Sequence, residues 1–173
     1  MQEWKEVFVP GDGNCLFHSL NVVWGDTKNR RDVVVDAFLN PQNNYETKIV
    51  ESTIESWKQI KQAFPYEMKH VVLDGDTINI ENTSKNMRNP GMYWGDEFAI
   101  SILEERENIN IGIIEQIYPL QVIQRPKITR VKKYCCVLKL RNHHYTATLL
   151  DHSGVFLTNI CPDLYLPVFS VEE

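Results

Sequence analysis

The run Phe8-Val9-Pro10-Gly11-Asp12-Gly13-Asn14-Cys15-Leu16-Phe17-His18-Ser19-Leu20 constrains this chain more than any other stretch. Gly11, Asp12, Gly13 and Asn14 read as a tight turn, and a helical apolar pattern starts directly after it. Leu16, Leu20 and Val23 recur on one side, with Phe17 and Trp24 beside them. Asn14 suits the N-cap position. Cys15 therefore falls in the first helical turn, near unpaired backbone N–H groups and the positive end of the helix dipole. Such surroundings favour the thiolate, which is the nucleophilic form of a cysteine. The glycines let the preceding backbone turn so that its N–H groups could face a developing oxyanion.

A nucleophilic thiol needs a base. Candidates lie in Asn142-His143-His144-Tyr145-Thr146-Ala147-Thr148-Leu149. From His144 onward the residues alternate, with His144, Thr146 and Thr148 on one face and Tyr145, Ala147 and Leu149 on the other, which predicts a strand. Neighbouring strand residues point to opposite faces, so only one of His143 and His144 can face the cysteine. A cysteine at a helix start and a histidine on a distant strand is the arrangement used by thiol hydrolases. Without its surrounding motif, Cys15 reads first as a buried structural thiol.

Helical spacing predicts further helices over Arg30 to Leu39, ended near Asn40-Pro41, and over Glu46 to Phe64, ended by Pro65. In the second of these, Ile49, Thr53, Trp57, Ile60 and Phe64 form the apolar stripe. Residues 74 to 92 are rich in Asp, Asn, Gly, Ser and Thr and read as a long loop, with a short strand over Thr77 to Ile80. Asp96 caps a helix that turns Phe98, Ile102 and Leu103 inward. The last third reads as strands over Ile109 to Ile114, Ile117 to Ile123, Tyr134 to Leu140, His144 to Leu150 and Val155 to Ile160. Arg141-Asn142-His143 and Asp151-His152-Ser153-Gly154 are hairpin-length connections. Helices first and strands later predict a single α+β domain over residues 1–173.

Three separated blocks carry a family resemblance. They are Asp12-Gly13-Asn14-Cys15-Leu16-Phe17-His18-Ser19, Tyr93-Trp94-Gly95-Asp96-Glu97-Phe98-Ala99-Ile100, and His144-Tyr145. Together, in that order, they resemble the ovarian tumour (OTU) family of cysteine proteases. The resemblance implies a papain-like α+β fold, with helices packed on a small, mostly antiparallel sheet. It also implies removal of ubiquitin or a ubiquitin-like protein from its conjugates, after the di-glycine tail, with no cofactor. It places the base directly before an aromatic residue and so selects His144 over His143. It gives Cys15 the role of nucleophile and puts Asp12 in the catalytic loop, with the backbone of Asp12, Gly13, Asn14 and Cys15 as oxyanion hole.

The sequence departs from the family's pattern at Thr146, where many members carry Asn or Asp two residues after the histidine. Thr146 shares a strand face with His144, about 6–7 Å along the strand. Its hydroxyl can accept a hydrogen bond from the ring but carries no charge. An orienting role and plain β-propensity both fit it. Asp12, an acceptor when ionised, suits bracing backbone N–H groups better than touching an oxyanion. Trp94-Gly95-Asp96 reads as a packed aromatic, a turn and a cap. Tyr145 and Trp94 are also candidate walls of a substrate channel, and Tyr145 fits the core equally well.

Other classes fit less well. Cys135, Cys136, His143, His152 and Cys161 invite a zinc reading, but adjacent strand cysteines face apart and no Cys-x-x-Cys pair exists. A net charge of −5 argues against a nucleic-acid partner. No apolar run is long enough to span a bilayer, and the polar N-terminal residues do not resemble a signal peptide. Four cysteines in 173 residues do not form a disulfide scaffold. The expectation is a monomeric cytoplasmic enzyme acting on ubiquitin-type conjugates. Two alternatives remain: a ubiquitin-binding module with weak or no turnover, and a cysteine protease acting on a polyprotein.

Overall fold

Helix α1 occupies Cys15–Trp24, as the apolar spacing predicts, and stops at Gly25, which takes the left-handed conformation (φ 69°) that glycine adopts without cost. The computed structural model describes residues 4–117, 120–124 and 131–157. Before α1 comes strand β1 (Trp4–Val7), and after it come α2 (Arg30–Leu39) and α3 (Asn44–Ala63). Asn29 and Asn43 cap these two helices, each accepting a hydrogen bond from the backbone N–H three residues on. Phe64, expected on the inward stripe of α3, instead sits at its C-cap outside helical geometry (φ −134°) and is exposed.

The stretch expected as a long loop is largely ordered structure. It holds a small hairpin, β2 (Leu73–Asp74) with β3 (Thr77–Ile78), and a helix, α4 (Ile80–Met87). Asn79 caps α4 by accepting from Asn82 N–H, and Thr83, Ser84 and Met87 are buried. Its polar composition hid it: between Ile80 and Met87, which pack on the core from its two ends, every residue is polar. Helix α5 (Glu97–Glu107) follows, with Asp96 accepting from Ala99 N–H as its cap.

The remaining strands are β4 (Ile109–Ile117), β5 (Leu120–Gln124), β6 (Tyr134–Arg141), β7 (His144–Leu150) and β8 (Phe156–Leu157). They join β1 in one sheet of order β1-β7-β6-β4-β5, with β8 on β6. Among the described residues only the β4–β6 pair is parallel, so the α+β reading with a mostly antiparallel sheet holds. The expected strand Val155 to Ile160 is described only as far as Leu157, and Cys161 lies outside the described residues.

Burial explains the layering. Ala147, Leu138, Cys136, Ile109, Ile111 and Ile113 face the helices and share a core with Leu16, Leu20, Val34, Phe38, Ile102 and Leu103. An aromatic cluster holds α3 to α5, with Trp57 against Phe38, Phe98 and Tyr93. Helix α1 packs along β7, which brings the two sequence-distant motifs side by side. Among the described residues no helix is long and apolar enough to cross a membrane.

Candidate active site

Cys15 is buried at the N-terminus of α1, with its sulfur 3.5 Å from the backbone N–H of Tyr145 on β7. The peptide that donates to the sulfur is the one joining His144 to Tyr145, so His144 lies one residue from the thiol contact. The hairpin before β7 explains how. Arg141 pairs with His144, and the two residues between them, Asn142 and His143, both take positive φ (49° and 63°), as a tight two-residue turn requires. His143 is therefore an exposed turn residue, and His144 opens the strand.

The His144 ring packs on Gly11. A Cβ at Gly11 would lie 3.2 Å from His144 Nδ1 and 3.3 Å from Cε1. The β1–β7 register, with Val7 opposite Ala147, runs the chain after β1 directly past His144. Gly13 is tighter still. It has φ +86°, and a Cβ there would fall 2.3 Å from the Pro90 carbonyl oxygen and 3.0 Å from Trp94 Nε1.

Asp12 braces this turn. Its Oδ1 accepts from Asn14 N–H at 3.0 Å, and its Oδ2 lies 3.3 Å from His18 Nε2. The Asn14 N–H, together with His18, holds the Asp12 carboxyl below the usual carboxylate range. The same bond occupies one of the amides expected in an oxyanion hole: Asn14 N–H is already committed to Asp12. Among the described residues the Gly13 and Cys15 amides have no hydrogen-bond partner.

Asn14 does not cap α1 with its side chain. Its Oδ1 instead accepts from Arg31 Nε at 3.0 Å and from Arg31 Nη2 at 2.7 Å. The competing donor is a buried guanidinium, which binds the oxygen more strongly than a helix amide does. Its backbone carbonyl still accepts from His18 N–H at 2.8 Å and so starts the helix.

Thr146 is buried, and its hydroxyl donates to Glu6 Oε2 on β1 at 2.5 Å. Glu6 thus sets a carboxylate beside Thr146. It stands 140 residues away in sequence, and only the β1–β7 pairing brings it here. Of the two candidate channel walls, Trp94 is exposed and stands beside Gly13, while Tyr145 is half-buried against the core. The packed aromatic of the Tyr93-Trp94-Gly95 run is Tyr93, not Trp94. Burial, with Asp96 nearby, raises the Tyr145 phenol well above its usual range. Cys15, Cys135 and Cys136 are free thiols. No cluster that could hold a metal ion occurs among the described residues.

A thiol at a helix start, a histidine next in sequence to the amide that meets it and two unpartnered amides are the groups that thiol hydrolysis uses. No family model matches the chain, and no curated protein matches it. Solved structures do. An OTU domain in complex with ubiquitin superposes with a TM-score of 0.59 over 91% of this chain and 77% of its own, at 12% identity. The OTU domain of OTUD1 gives 0.53 over 84% and 85%, also at 12% identity. The chain has the ovarian tumour domain fold.

Proposed function

We propose that this chain is a cysteine isopeptidase that removes ubiquitin or a ubiquitin-like protein from conjugates by cutting after the di-glycine tail. The observation that carries the reading is the Cys15 sulfur at the start of α1, 3.5 Å from the amide that follows His144. A structure of the same fold in complex with ubiquitin supports the choice of substrate.

In the proposed reaction the Cys15 sulfur attacks the carbonyl of the terminal glycine. Negative charge grows on the carbonyl oxygen, and the amides of Gly13 and Cys15 stabilise it. His144 accepts the thiol proton and returns it to the departing lysine amine. Water, deprotonated by His144, then hydrolyses the thioester and releases the ubiquitin carboxylate. Asp12 holds the turn, and Trp94 and Tyr145 flank the tail. Glycine at the cleavage point suits close walls, because it has no side chain to exclude. No cofactor enters these steps. The reaction needs reduced Cys15, which fits a cytosolic monomer.

Incubation with a panel of linked di-ubiquitins, beside a ubiquitin probe that traps active-site thiols, tests the reading. Cleavage and Cys15 labelling, both lost in Cys15→Ala, are expected. One observation favours a second reading, a ubiquitin-binding module with little turnover. Thr146 stands where an acid or amide is common, and its hydroxyl proton is engaged by Glu6. Saturable ubiquitin binding without cleavage or labelling would select it.

A further inference from the structure

Arg30 and Arg31 are neighbours on α2 and both are buried, yet they are bound in opposite ways. Arg30 pairs with the carboxylates of Asp26 and Glu107, the ordinary way to bury a guanidinium. Arg31 has no ion-pair partner among the described residues. All of its five N–H groups go to neutral oxygens. Nε and Nη2 donate to Asn14 Oδ1 at 3.0 and 2.7 Å, and Nη2 also donates to the Gly13 carbonyl at 3.0 Å. Nη1 donates to the carbonyls of Met87 at 2.8 Å and Tyr93 at 2.6 Å. The guanidinium also lies over the Phe17 ring, 4.8 Å from its centroid.

These partners belong to two segments that meet at Gly13, two residues before the thiol. Gly13 and Asn14 immediately precede Cys15. Met87 and Tyr93 bracket the stretch holding Pro90, whose carbonyl abuts Gly13, and Tyr93 precedes Trp94. A residue that only filled space on α2 would not need a buried charge without a counter-charge, which is costly. Here the cost is offset by fixing carbonyl directions on both segments. Holding the Gly13 carbonyl fixes the Gly13–Asn14 peptide, whose N–H Asp12 holds from the other side, and so anchors the two flanking peptides that carry the Gly13 and Cys15 amides.

We propose that Arg31 is a positioning residue for the Cys15 loop. It locks the Gly13 carbonyl and the Asn14 side chain, keeping the Gly13 and Cys15 amides turned toward the reacting carbonyl, and ties that loop to the Trp94 segment. The inference rests on the proposed hydrolase reading. Lysine keeps the charge but lacks the planar fork, so it cannot serve both segments at once.

The test uses Arg31→Lys, Asn14→Ala and the double variant, with a ubiquitin C-terminal fluorogenic amide as substrate. Arg31→Lys should lower kcat by about 10- to 100-fold, short of the loss from deleting an oxyanion donor outright. KM should stay within about threefold, as expected when an interaction made in the transition state is lost. Alkylation of Cys15 by iodoacetamide, which builds no oxyanion, should stay within about twofold. The double variant should lose no more than the worse single one, because both changes break one contact. Amide hydrogen exchange over residues 11–15 should speed up in Arg31→Lys while α5 stays protected. A folded Arg31→Lys with wild-type kcat, additive losses in the cycle, or parallel loss of alkylation overturns the role. Where Arg31→Lys does not fold, Asn14→Ala alone decides by the same kcat and exchange measurements. An inert wild type defeats the hydrolase reading, and unchanged loop exchange then defeats the positioning role separately.

Discussion

Thr146 Oγ1 on β7 donates to Glu6 Oε2 on β1 at 2.5 Å, diagonally across a register in which Glu6 stands opposite Thr148. The other Glu6 oxygen is held by Arg141 Nη2 at 2.6 Å. Glu6 is thus fixed at both oxygens. A hydroxyl that has given its only proton to a carboxylate can act elsewhere solely as an acceptor. That is the polarity an imidazole N–H on the same strand face requires.

If Thr146 orients His144, Thr146→Ala lowers kcat about tenfold, or about 1.4 kcal/mol of transition-state stabilisation. Glu6→Gln gives a smaller loss, since an amide can still accept the hydroxyl proton. Thr146→Asn restores activity better than Thr146→Asp, because an added carboxylate beside Glu6 repels it. Steady-state kinetics on a ubiquitin substrate checks all three. An unchanged kcat in Thr146→Ala removes Thr146 from the mechanism.

The two histidines should separate cleanly. His144→Ala removes the proposed base and should cost orders of magnitude in turnover. His143 is an exposed turn residue with φ 63°, so His143→Gly, which relieves that conformation, leaves kcat near wild type and holds or raises Tm. The reverse ranking in rate measurements would place the base in the turn.

The parts of this protein legible in the sequence are those written in local pattern. Helix α1 is readable from Leu16, Leu20 and Val23, and the β7 hairpin from alternation after the short Arg141-Asn142-His143 connection, which the structure tightens to two residues. Helix α4 is not, because Asn, Ser, Thr and Lys fill it and its stability comes from the Asn79 cap and buried Met87. Glu6 was hidden for another reason: its role follows from pairing between strands at opposite ends of the chain. Arg31 was hidden by expectation, since an arginine on a helix ordinarily reads as a solvated face. Asn14 misled in the same way, because a better donor from α2 claimed the side chain that local rules assign to the helix.

Two buried groups give opposite pH signatures in stability. His70 is buried against Trp57 and Tyr93 with its Nε2 unpartnered, and burial pushes it down to about 4. A depressed base favours the neutral folded form, so His70 costs stability as pH falls from about 6.5 toward 4. Asp96, desolvated beside Tyr93, is pushed up to about 6. Its contribution is present below about 3.8 and is lost as pH rises through about 6. Thermal melts at pH 7.5 and 5 should show His70→Phe gaining mainly at pH 5 and Asp96→Asn mainly at pH 7.5. Each kcal/mol corresponds to about 2–4 °C in a domain of this size. Equal shifts of either variant at both pH values would mean that the effect is packing and not protonation.

Gly11 and Gly13 make the most discriminating pair, because the same substitution meets different obstacles. At Gly13 an added methyl carbon would lie 2.3 Å from the backbone oxygen of Pro90, and the φ of +86° is strained for any L side chain. Backbone must move, so Gly13→Ala should cost about 1–3 kcal/mol and lower Tm by several degrees. At Gly11 φ lies outside the left-handed region, and among the described residues the only close atoms are His144 Nδ1 at 3.2 Å and Cε1 at 3.3 Å. The imidazole can give way, and alanine also restricts the unfolded chain, which favours folding by about 0.4–1 kcal/mol. Gly11→Ala should therefore hold or raise Tm while cutting kcat about tenfold or more, because the displaced ring is the proposed base. Differential scanning calorimetry paired with turnover on one preparation of each variant reads both quantities. Wild-type turnover in a folded Gly11→Ala protein would show that the His144 position against Gly11 does not matter to the chemistry.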